Sequence, residues 1–400
     1  MDMLRIGVIG ASGRGNIADY AHLPKEGFTV VAGADIYPEG RERFLKRQKE
    51  KLNNTPNVYS DYREMIEKEH LDGVIITTPD FLHEEHAVFA LEHDIPVYLE
   101  KPMAISIEGC DRILETAYRH RTKLVIGHNM RYMAFTRKMK EIIDAGTIGE
   151  VKTVWCRHFI SYGGDAYFRD WHAARRYSNS LLLQKGAHDI DIIHWLAGGY
   201  TNLTVGFGNL SVYDKLPRRA ASEARIKEGI SSVWTNYHWP PMEQKDMYPE
   251  IEVEDLNMIN MRLDNGVLAS YQQCHYTPDG TRNYTVIGTK GRLENYGDYT
   301  SSIQVWTRRK DTFRLEGDIT YRIEPFDGPH GGADPLIVRS FLDAIRGKYD
   351  VWSSPQAARN SVAAGCCGAE SIRSGGMPVA VPPLPEHLKN FDFARAEEVK

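Results

Sequence analysis

The strongest constraint on the fold lies near the start of the chain, where the apolar segment Leu4–Ile9 runs directly into a glycine-rich segment. A glycine-rich turn between a strand and a helix brings backbone N–H groups and the helix N-terminus towards a pyrophosphate. Gly10 and Gly15 fit the first and third positions of the G-x-G-x-x-G pattern, whereas Ser12 occupies the second and Gly13 follows it. The pattern therefore predicts a dinucleotide-binding turn in a degenerate form.

A second apolar segment, Thr29–Ala34, ends at Asp35. A carboxylate at this distance from Gly10 typically binds the ribose hydroxyls of adenosine and repels a 2′-phosphate, which favours NAD over NADP. Two competing interpretations remain open. Arg41 and Arg43 lie nearby and would attract a phosphate, and Asp35 would also serve as a cap for the following helix.

The chain changes its pattern about a third of the way along. Up to residue 127, short apolar segments alternate with amphipathic ones, which predicts parallel strands joined by crossover helices. Later segments alternate polar and apolar residues and contain turn signals such as Asn265-Gly266, which predicts antiparallel strands. The sequence thus predicts an α/β protein with a Rossmann, doubly wound parallel sheet over 1–127. A second, α+β domain with a large, open, mostly antiparallel sheet is predicted over 128–381, and a surface tail over 382–400.

Two further segments lie within the second domain. Leu216–Glu250 is charged and flanked by prolines, which predicts an excursion over the sheet. Within it, the aromatic segment Trp234–Pro241 is a candidate lid or inter-subunit arm.

Composition excludes several classes of partner. The formal net charge of −5 disfavours nucleic acid and anionic membranes, and no apolar run is long enough to span a bilayer. The five cysteines are scattered without zinc-ligand spacing, which favours free thiols and no bound metal. The first residues show no signal-peptide layout. The sequence therefore predicts a cytoplasmic protein that acts on a small molecule.

Four motifs occur in the order typical of one family. They are the glycine-rich segment, Thr77-Thr78-Pro79-Asp80-Phe81-Leu82-His83, Glu100-Lys101-Pro102 and Gly127-His128-Asn129-Met130-Arg131-Tyr132. On these motifs the chain resembles the glucose–fructose oxidoreductase/inositol dehydrogenase/rhizopine-catabolism (Gfo/Idh/MocA) family over nearly its whole length. The resemblance implies a Rossmann domain paired with an open-sheet domain, NAD as cofactor and a carbohydrate substrate in the cleft between them. It also implies a homo-oligomer, either a dimer or a tetramer.

The resemblance further implies roles for individual residues. Lys101 would hold or polarise the reacting hydroxyl, and Pro102, in a cis peptide, would aim that lysine at the nicotinamide. The predicted cofactor-binding residues are Gly10, Ser12, Gly13, Arg14, Gly15, Asp35, Thr78, Pro79, His83, Glu100, Lys101 and Asn129.

Predicted substrate contacts combine this resemblance with local composition, because aromatic rings stack on sugars and arginine forks pair with anions. The segment 165–176 is rich in both kinds of side chain. The predicted substrate-binding residues are Arg131, Tyr132, Trp171, His172, Arg175, Gln184, Lys185, His188 and His275.

Gln184 and His188 are four residues apart, which predicts that they share one face of a helix. Family members similar to inositol dehydrogenase carry Asp-x-x-x-His here, and Gln184 replaces that aspartate with a group that cannot accept a proton. His188 is the predicted proton acceptor because the pKa of histidine lies near neutrality. Asp189 or Asp191 would then have to position its ring.

Lys185 is the alternative base, with a pKa lowered by Lys101 nearby. The two lysines are equally candidates for binding an anionic substituent of the substrate. The predicted catalytic residues are therefore Lys101, His188 and Lys185.

Three functions are compatible with the sequence. The leading prediction is an NAD-dependent dehydrogenase that moves a hydride between a ring hydroxyl of a sugar or polyol and NAD. The alternative is an NAD-dependent glycoside hydrolase that oxidises C3, eliminates the aglycone, adds water and reduces the ketone again. The arginine-rich loop suits an anionic sugar such as a sulfoquinovoside in that case. The third is a non-catalytic sensor of sugar or NAD, which lacks a visible basic DNA-reading element.

Overall fold

The computed structural model describes residues 3–223, 239–298, 301–324 and 328–399. Its N-terminal domain contains a six-stranded parallel sheet in the order β3-β2-β1-β4-β5-β6. The strands are β1 Leu4–Ile9, β2 Phe28–Ala34, β3 Asn57–Tyr59, β4 Gly73–Ile76, β5 Val97–Leu99 and β6 Leu124–Ile126. The helices are α1 Pro38–Leu52, α2 Tyr62–Glu69, α3 His83–Glu92 and α4 Ile107–His120. This confirms the predicted Rossmann-type parallel sheet.

The parallel strands end at one level, which determines where the functional residues meet. Ile9 at the end of β1 pairs with Ala34 and with Ile76. Ile76 pairs in turn with Leu99, and Leu99 with Ile126. The residues that follow β1, β2, β4, β5 and β6 therefore lie along one edge of the sheet, where ligands of such folds bind.

The second domain is built on a nine-stranded sheet in the order β14-β13-β12-β11-β7-β10-β9-β8-β15. Only β7 and β10 pair in parallel among its described neighbours. The predicted large, mostly antiparallel sheet is thus confirmed. Its strands are β7 Val151–Phe159, β8 Thr201–Asn209, β9 Leu256–Leu263, β10 Leu268–Cys274, β11 Thr281–Gly288, β12 Arg292–Tyr296, β13 Ser301–Trp306, β14 Ile319–Ile323 and β15 Val379–Ala380.

Helices cover the sheet of the second domain and connect it to the first. They are α5 Ala134–Asp144, α6 Arg175–Ser178, α7 Leu181–Gln184, α8 Gly186–Ala197, α9 Ala333–Ile345, α10 Pro355–Arg373 and α11 Glu386–Lys389. Helix α8 packs on β7 and β10, and α10 packs on α8 and β8 as well as on α4 of the N-terminal domain. None of the helices in the described ranges is long and apolar enough to cross a membrane.

The helix that the sequence predicts after the glycine-rich turn is a 3₁₀ helix, Gly13–Ala21. Of the predicted excursion Leu216–Glu250 and the candidate arm Trp234–Pro241, residues 224–238 lie outside the described residues. The described parts of the excursion are short 3₁₀ turns such as Pro241–Glu243.

The segment 382–399 also differs from the predicted surface tail, because its apolar side chains are buried. Leu384, Leu388, Phe391 and Phe393 join the core of the N-terminal domain, and a short pair of strands, β16 Phe391–Asp392 and β17 Glu397–Glu398, holds the segment together. The backbone N–H of Leu124 on β6 donates to the carbonyl of Phe393 at 3.0 Å. This segment therefore extends the hydrogen bonding of the first sheet beyond its last strand.

Candidate active site

The glycine-rich turn after β1 is too tight for side chains at two positions. Gly10 has a φ of +83°, and a Cβ there would lie 2.9 Å from the backbone of Thr77 and Thr78. A Cβ on Gly15 would lie 2.4 Å from the carbonyl oxygen of Gly10. The turn is therefore pressed against the segment after β4, and its backbone fits the close approach that a dinucleotide requires.

Ser12, in the second position of the pattern, compensates for the missing glycine by binding Asp35. Its backbone N–H and hydroxyl donate to Oδ2 of Asp35 at 3.1 and 2.6 Å. Oδ1 of the same carboxylate accepts from the N–H of Tyr37 at 3.0 Å, and a Cβ on Gly40 would collide with it. The carboxylate at the end of β2 is thus fixed beside the turn, where its charge opposes a 2′-phosphate. These residues fit NAD.

Arg14 belongs to a group of polar and charged residues, the paired cluster, which consists of Arg14, Glu100, Asn129, His330 and Asp334. Its guanidinium binds Glu100 at 2.7 Å and both oxygens of Asp334 at 2.5 and 3.0 Å. Asn129 donates to Asp334 at 2.9 Å, and Nδ1 of His330 lies 3.0 Å from it. Arg14 thus links the glycine-rich turn to the start of α9, so its side chain serves domain contact rather than facing open solvent for a cofactor.

The strand β5 ends at Glu100-Lys101-Pro102, and the Lys101–Pro102 peptide is cis, as the resemblance implied. Lys101 donates from Nζ to the backbone carbonyl of Gln184 at 3.0 Å. Its ammonium group thus reaches from the first domain to the end of α7 in the second. The contact places Lys101 at the boundary between the two domains, where the predicted substrate cleft lies.

Lys101 belongs to a second group, the open cluster, which consists of Asp80, Lys101, His172, Gln184, Lys185 and His188. Burial and the nearby charge of Lys185 lower the pKa of Lys101 to about 8. Burial, followed by repulsion from Arg282, lowers the pKa of Lys185 to about 7. Both amines are therefore partly neutral near pH 7, which is the form that accepts a proton.

The open cluster contains buried polar atoms without hydrogen-bond partners among the described residues. These atoms are Asp80 Oδ2, His172 Nδ1, Gln184 Oε1 and His188 Nδ1. Buried polar groups are normally satisfied, and exceptions mark places where a ligand or catalytic function supplies the partner. The open cluster is therefore the best candidate for the site that binds a polar substrate.

The two histidines of the open cluster differ from the prediction that one is a base near neutrality. Burial, followed by the charge of Lys101, lowers the pKa of His188 well below its usual value. The same causes, with Lys185, lower the pKa of His172 to about 3. Both rings are neutral at pH 7 and are weaker proton acceptors than the two lysines.

The predicted orientation of His188 by an aspartate is contradicted, because both aspartates are bound elsewhere. Asp189 accepts from Tyr271 at 2.9 Å and from Arg282 at 2.8 Å, and Tyr284 also donates to it. Asp191 instead lies 3.1 Å from Nδ1 of His128. Arg282 and the two tyrosines thus bind Asp189 of α8. Burial raises the pKa of Asp189, but Arg282 and His158 outweigh burial and hold this pKa well below its usual value.

The predicted single helix face shared by Gln184 and His188 is also corrected. Gln184 ends α7, Lys185 lies between the helices, and His188 is in the first turn of α8. The second helix begins at Gly186, where a Cβ would lie 2.9 Å from the ring of Tyr271. Close packing on β10 therefore separates the two helices, although both residues remain in the open cluster.

Arg131 and Tyr132 were predicted to contact substrate, but the structure engages both in packing between elements. Arg131 binds Asp191 through two hydrogen bonds of 2.7 and 2.8 Å and donates to the carbonyl of Trp352 at 2.8 Å. Tyr132 stacks on Trp352 and its hydroxyl accepts from the backbone N–H of that residue. Their donors and rings are occupied by the protein, so neither residue faces the open cluster.

In the loop before α7, some predicted residues lie in the open cluster and others lie at the surface. His172 lies in the open cluster, and Trp171 stacks on it with ring centroids 3.7 Å apart. Arg175 is exposed and hydrogen-bonds the backbone of Glu252, and Arg176 pairs with Glu250. Arg175 also lies 3.6 Å from the Glu254 carboxylate, so both arginines pair with carboxylates at the surface. Their role towards an anionic substrate stays a prediction.

Three other predicted residues have defined surroundings. His83 lies between two carbonyls, with Nδ1 2.7 Å from Pro102 and Nε2 2.8 Å from Thr78, so it ties two loops together instead of facing the cleft. Thr78 contacts His86 through its hydroxyl at 3.0 Å, next to Pro79.

His275 follows β10 and is fully buried, with both ring nitrogens lacking a hydrogen-bond partner among the described residues. Burial, followed by the charges of His158 and Lys185, lowers its pKa well below the usual value. Its ring contacts the edge of Tyr167. His275 therefore lies behind Lys185 as a neutral imidazole.

Asp80 is the residue of this site that the sequence predictions missed. It stands in the Thr77-Thr78-Pro79-Asp80 motif and follows β4, at the same edge as Glu100. A charged residue in the loop that follows a buried parallel strand is the signal that would have identified it. Among the described residues, no group of three or more histidine, cysteine, aspartate or glutamate side chains has the arrangement of a metal site.

With this geometry, the chain matches two models of one oxidoreductase family. Residues 4–128 match its NAD-binding Rossmann fold, and residues 140–381 match its C-terminal alpha/beta domain. Together the matches span most of the chain. The protein is therefore an oxidoreductase with an NAD-binding domain. It belongs to the Gfo/Idh/MocA family.

Individual relatives agree with this assignment. The chain is 28% identical over 378 residues to the putative oxidoreductase YteT of Bacillus subtilis, covering 84% of this chain and 88% of that protein. It is 32% identical over 223 residues to an inositol 2-dehydrogenase of Ralstonia nicotianae, covering 55% of this chain and 60% of that enzyme. A solved structure of levoglucosan dehydrogenase with NADH and L-sorbose shares the fold, with a TM-score of 0.75 at 19% identity over 95% of this chain and 99% of that chain.

Proposed function

We propose that the protein is an NAD-dependent dehydrogenase that moves a hydride between a ring hydroxyl of a sugar or polyol and NAD. The observation that carries this proposal is the open cluster, in which Lys101 reaches from the NAD-binding domain to the backbone of Gln184. The cluster contains two amines with lowered pKa values and several buried polar atoms that have no partner among the described residues. Relatives that act on inositol and levoglucosan support the substrate class. Several polar side chains around one site suit a molecule with several hydroxyls.

The residues have separate tasks in this proposal. Gly10, Gly15 and Asp35 hold the dinucleotide, which supplies a hydride acceptor when bound. Lys101 holds the reacting hydroxyl, since its Nζ already lies at the domain boundary. Lys185 takes the hydroxyl proton because its pKa of about 7 leaves about half of it neutral at pH 7.

The neutral rings of His172 and His188 contribute hydrogen bonds to other hydroxyls and do not carry the charge. The partial neutrality of Lys185 also predicts the pH dependence of oxidation. The rate should rise with pH through about 7, since the neutral amine is the active form.

A second candidate is a glycoside hydrolase that uses transient oxidation of a ring hydroxyl. This reaction needs one base for the hydroxyl proton and another for the adjacent C–H. The presence of two amines with lowered pKa values, Lys101 and Lys185, is the observation that favours it. The ketone makes the C–H acidic, the aglycone leaves, water adds, and the hydride returns, so no net NADH forms.

One experiment separates these candidates. The purified full chain is incubated with NAD and panels of free sugars, cyclitols and aryl glycosides, while NADH absorbance and aglycone release are followed together. The dehydrogenase predicts stoichiometric NADH from a free sugar or cyclitol, with a rate that rises with pH through about 7. Aglycone release without net NADH would assign the hydrolase, and neither signal from any compound would contradict both candidates.

A further inference from the structure

Asn179, between α6 and α7, has a strained backbone conformation. Its φ is 62° and its ψ is −61°, and the backbone N–H of Ser180 donates to the carbonyl of Ser178 across it at 2.7 Å. This arrangement is a γ-turn of the rare kind with a positive φ. Residues other than glycine adopt such a conformation at a cost, and strain of this kind is concentrated at functional sites. The contacts on either side of Asn179 show what the turn holds in place.

The two serines that flank Asn179 are fully buried and hold parts of the open cluster. The hydroxyl of Ser178 donates to the backbone carbonyl of His172 at 2.8 Å. The hydroxyl of Ser180 accepts from a backbone N–H in the first turn of α7 at 3.0 Å and so caps this helix, which ends at Gln184. The γ-turn therefore determines how the chain passes from one member of the open cluster to the next.

The side chain of Asn179 reaches the N-terminal domain. Its Nδ2 donates to the backbone carbonyl of Ile105 at 3.0 Å. Ile105 lies in the loop after β5, just beyond Lys101 and the cis peptide. Lys101 itself donates from Nζ to the backbone carbonyl of Gln184 at 3.0 Å. Two hydrogen bonds therefore join the loop after β5 to the segment that carries α7, one near each end.

Arg373 of α10 fixes the orientation of the Asn179 amide. Its Nη2 donates to the backbone carbonyl of Asn179 at 2.8 Å, and its Nη1 donates to Oδ1 of Asn179 at 3.4 Å. The same guanidinium binds the buried carboxylate of Glu254 at 2.9 and 3.1 Å. Because an arginine only donates, Oδ1 of Asn179 faces Arg373, and Nδ2 faces Ile105 and, at 3.7 Å, Sγ of Cys366. The amide is therefore oriented to donate across the domain boundary.

We infer that Asn179 positions Lys101 of one domain against α7 of the other and so assembles the open cluster for the proposed hydride transfer. The inference rests on the proposed function and deepens it. The single hydrogen bond between Lys101 and Gln184 would leave the two segments free to pivot about it, whereas the second bond at Ile105 fixes their register. Asn179 acts through these segments, so it is a positioning residue. Its strained backbone accompanies the contact, as expected where a fixed geometry serves a function.

Two substitutions separate the side chain of Asn179 from its backbone. Asn179→Gly removes the hydrogen bond to Ile105 and relieves the positive φ, because glycine has no Cβ. Asn179→Ala removes the same bond and keeps the strain. The melting temperature of Asn179→Gly should stay within about 2 °C of the wild type and exceed that of Asn179→Ala. An Asn179→Gly chain that melts no higher than Asn179→Ala would contradict the strained turn on which the inference depends.

A measurement that needs no substrate reads the positioning itself. The full chain, saturated with NAD, is labelled with trace acetic anhydride across a pH series, and acetylation of each lysine is read by peptide mass spectrometry. In Asn179→Gly the labelling midpoint of Lys101 should rise by about half a pH unit, because the loosened segments move this amine away from Lys185 and weaken their repulsion. An unchanged midpoint in the folded variant would overturn the inference.

A second variant and a control complete the labelling experiment. Asn179→Ala should show the same rise in the midpoint of Lys101, which covers the case in which the glycine variant does not fold. Asn53→Gly is the matched control, because Asn53 also has a positive φ, of 52°, but is exposed at the end of α1. The midpoint of Lys101 should not change in this control. A rise as large as that in Asn179→Gly would refute a specific role of Asn179.

Turnover gives the readout that depends on the proposed function. With a sugar or cyclitol that the enzyme oxidises, Asn179→Gly should lower kcat by roughly 10-fold to 100-fold and leave the KM for NAD unchanged, because positioning rather than cofactor binding is lost. A wild-type kcat would contradict the inference. Labelling and melting do not depend on turnover, so absence of NADH formation with every sugar would contradict the proposed function alone.

Discussion

Two charged clusters meet at the peptide between Glu100 and Lys101, and they are organised in opposite ways. In the paired cluster, Arg14 is surrounded by the carboxylates of Glu100 and Asp334. In the open cluster, Lys101 and Lys185 repel each other, and several polar atoms beside them have no partner among the described residues.

The difference shows how one strand end serves two purposes. In the paired cluster, opposite charges attract each other, and this attraction stabilises the contact between the two domains. Where like charges lie together in a buried site, their repulsion and desolvation lower the stability of the folded state. The same effects give two amines whose pKa values lie near neutrality. The following predictions test this division in order of decreasing expected effect.

The largest effect is expected from Lys101→Met, which removes the amine from the open cluster without adding charge. Turnover should fall by roughly 10³-fold, because both the positioning of the hydroxyl and the proton path are lost. NAD affinity, measured by fluorescence titration, should change little. Lys123→Met is the matched control, since Lys123 is also partly buried but donates to the carbonyls of Ala344 and Ile345, outside both clusters. Equal turnover in the two variants would contradict the role of Lys101.

The next effect is expected from Arg14→Met, which leaves Glu100 and Asp334 buried without their counter-charge. The free energy of unfolding should fall by about 3 kcal/mol, as measured by urea denaturation at pH 7. Because Arg14 helps hold the pKa of Asp334 below its usual value, this stabilisation is present above the unfolded pKa of about 4 and is lost as pH falls below it. The difference between the variant and the wild type should therefore narrow in acid.

Arg339→Met provides the comparison for that variant. Arg339 also joins α9 to the N-terminal domain, through Glu26, but both side chains of this pair are substantially exposed. Its removal should cost less than about 1 kcal/mol. If Arg339→Met lowers the free energy of unfolding as much as Arg14→Met does, the paired cluster stabilises the domain contact no more than an exposed ion pair.

The last effect is smaller than that of Arg14→Met and has the opposite sign. Lys185→Met should raise the free energy of unfolding by about 2 kcal/mol near pH 7, because a buried amine with a lowered pKa is replaced by an apolar side chain. The folded pKa of about 7 lies below the ordinary value of 10.5. The penalty of the wild-type lysine is therefore full below pH 7 and disappears as pH rises through about 10.5.

Thermal unfolding at pH 6.5 and pH 10, values that bracket most of this range, measures the effect of Lys185→Met. The gain in melting temperature should be clear at the lower pH and small at the higher one. A variant that is less stable than the wild type at both values would contradict a net unfavourable contribution of the buried Lys185 amine to stability.

Local patterns in the sequence were sufficient to predict the framework of the site. The buried strands β1, β2 and β5 are short apolar runs, and the residues that follow them, including Gly10, Asp35 and Lys101, lie at one edge of the sheet. Such predictions succeed because strand ends in a parallel sheet are aligned by backbone hydrogen bonding, which does not depend on distant side chains.

Pairings between distant residues were beyond the reach of the same patterns. Arg14 binds Asp334, which is 320 residues away in the chain, and Arg131 binds Asp191, which is 60 residues away. The residues next to an arginine in the sequence do not show whether that arginine pairs with a distant carboxylate or binds a ligand. The low pKa of His188 has the same origin, since it results from burial and from lysines brought close by the fold.

The hydrogen bond between Leu124 and Phe393 has a consequence for how the chain is assembled. The outer side of β6 and the apolar surface around it are covered by residues that follow the entire second domain in sequence. During synthesis the N-terminal domain therefore emerges with β6 and the apolar surface around it uncovered. These parts gain their final contacts only after the second domain has been synthesised. The segment after the second domain thus packs on the last strand of the first domain and ties the two domains together.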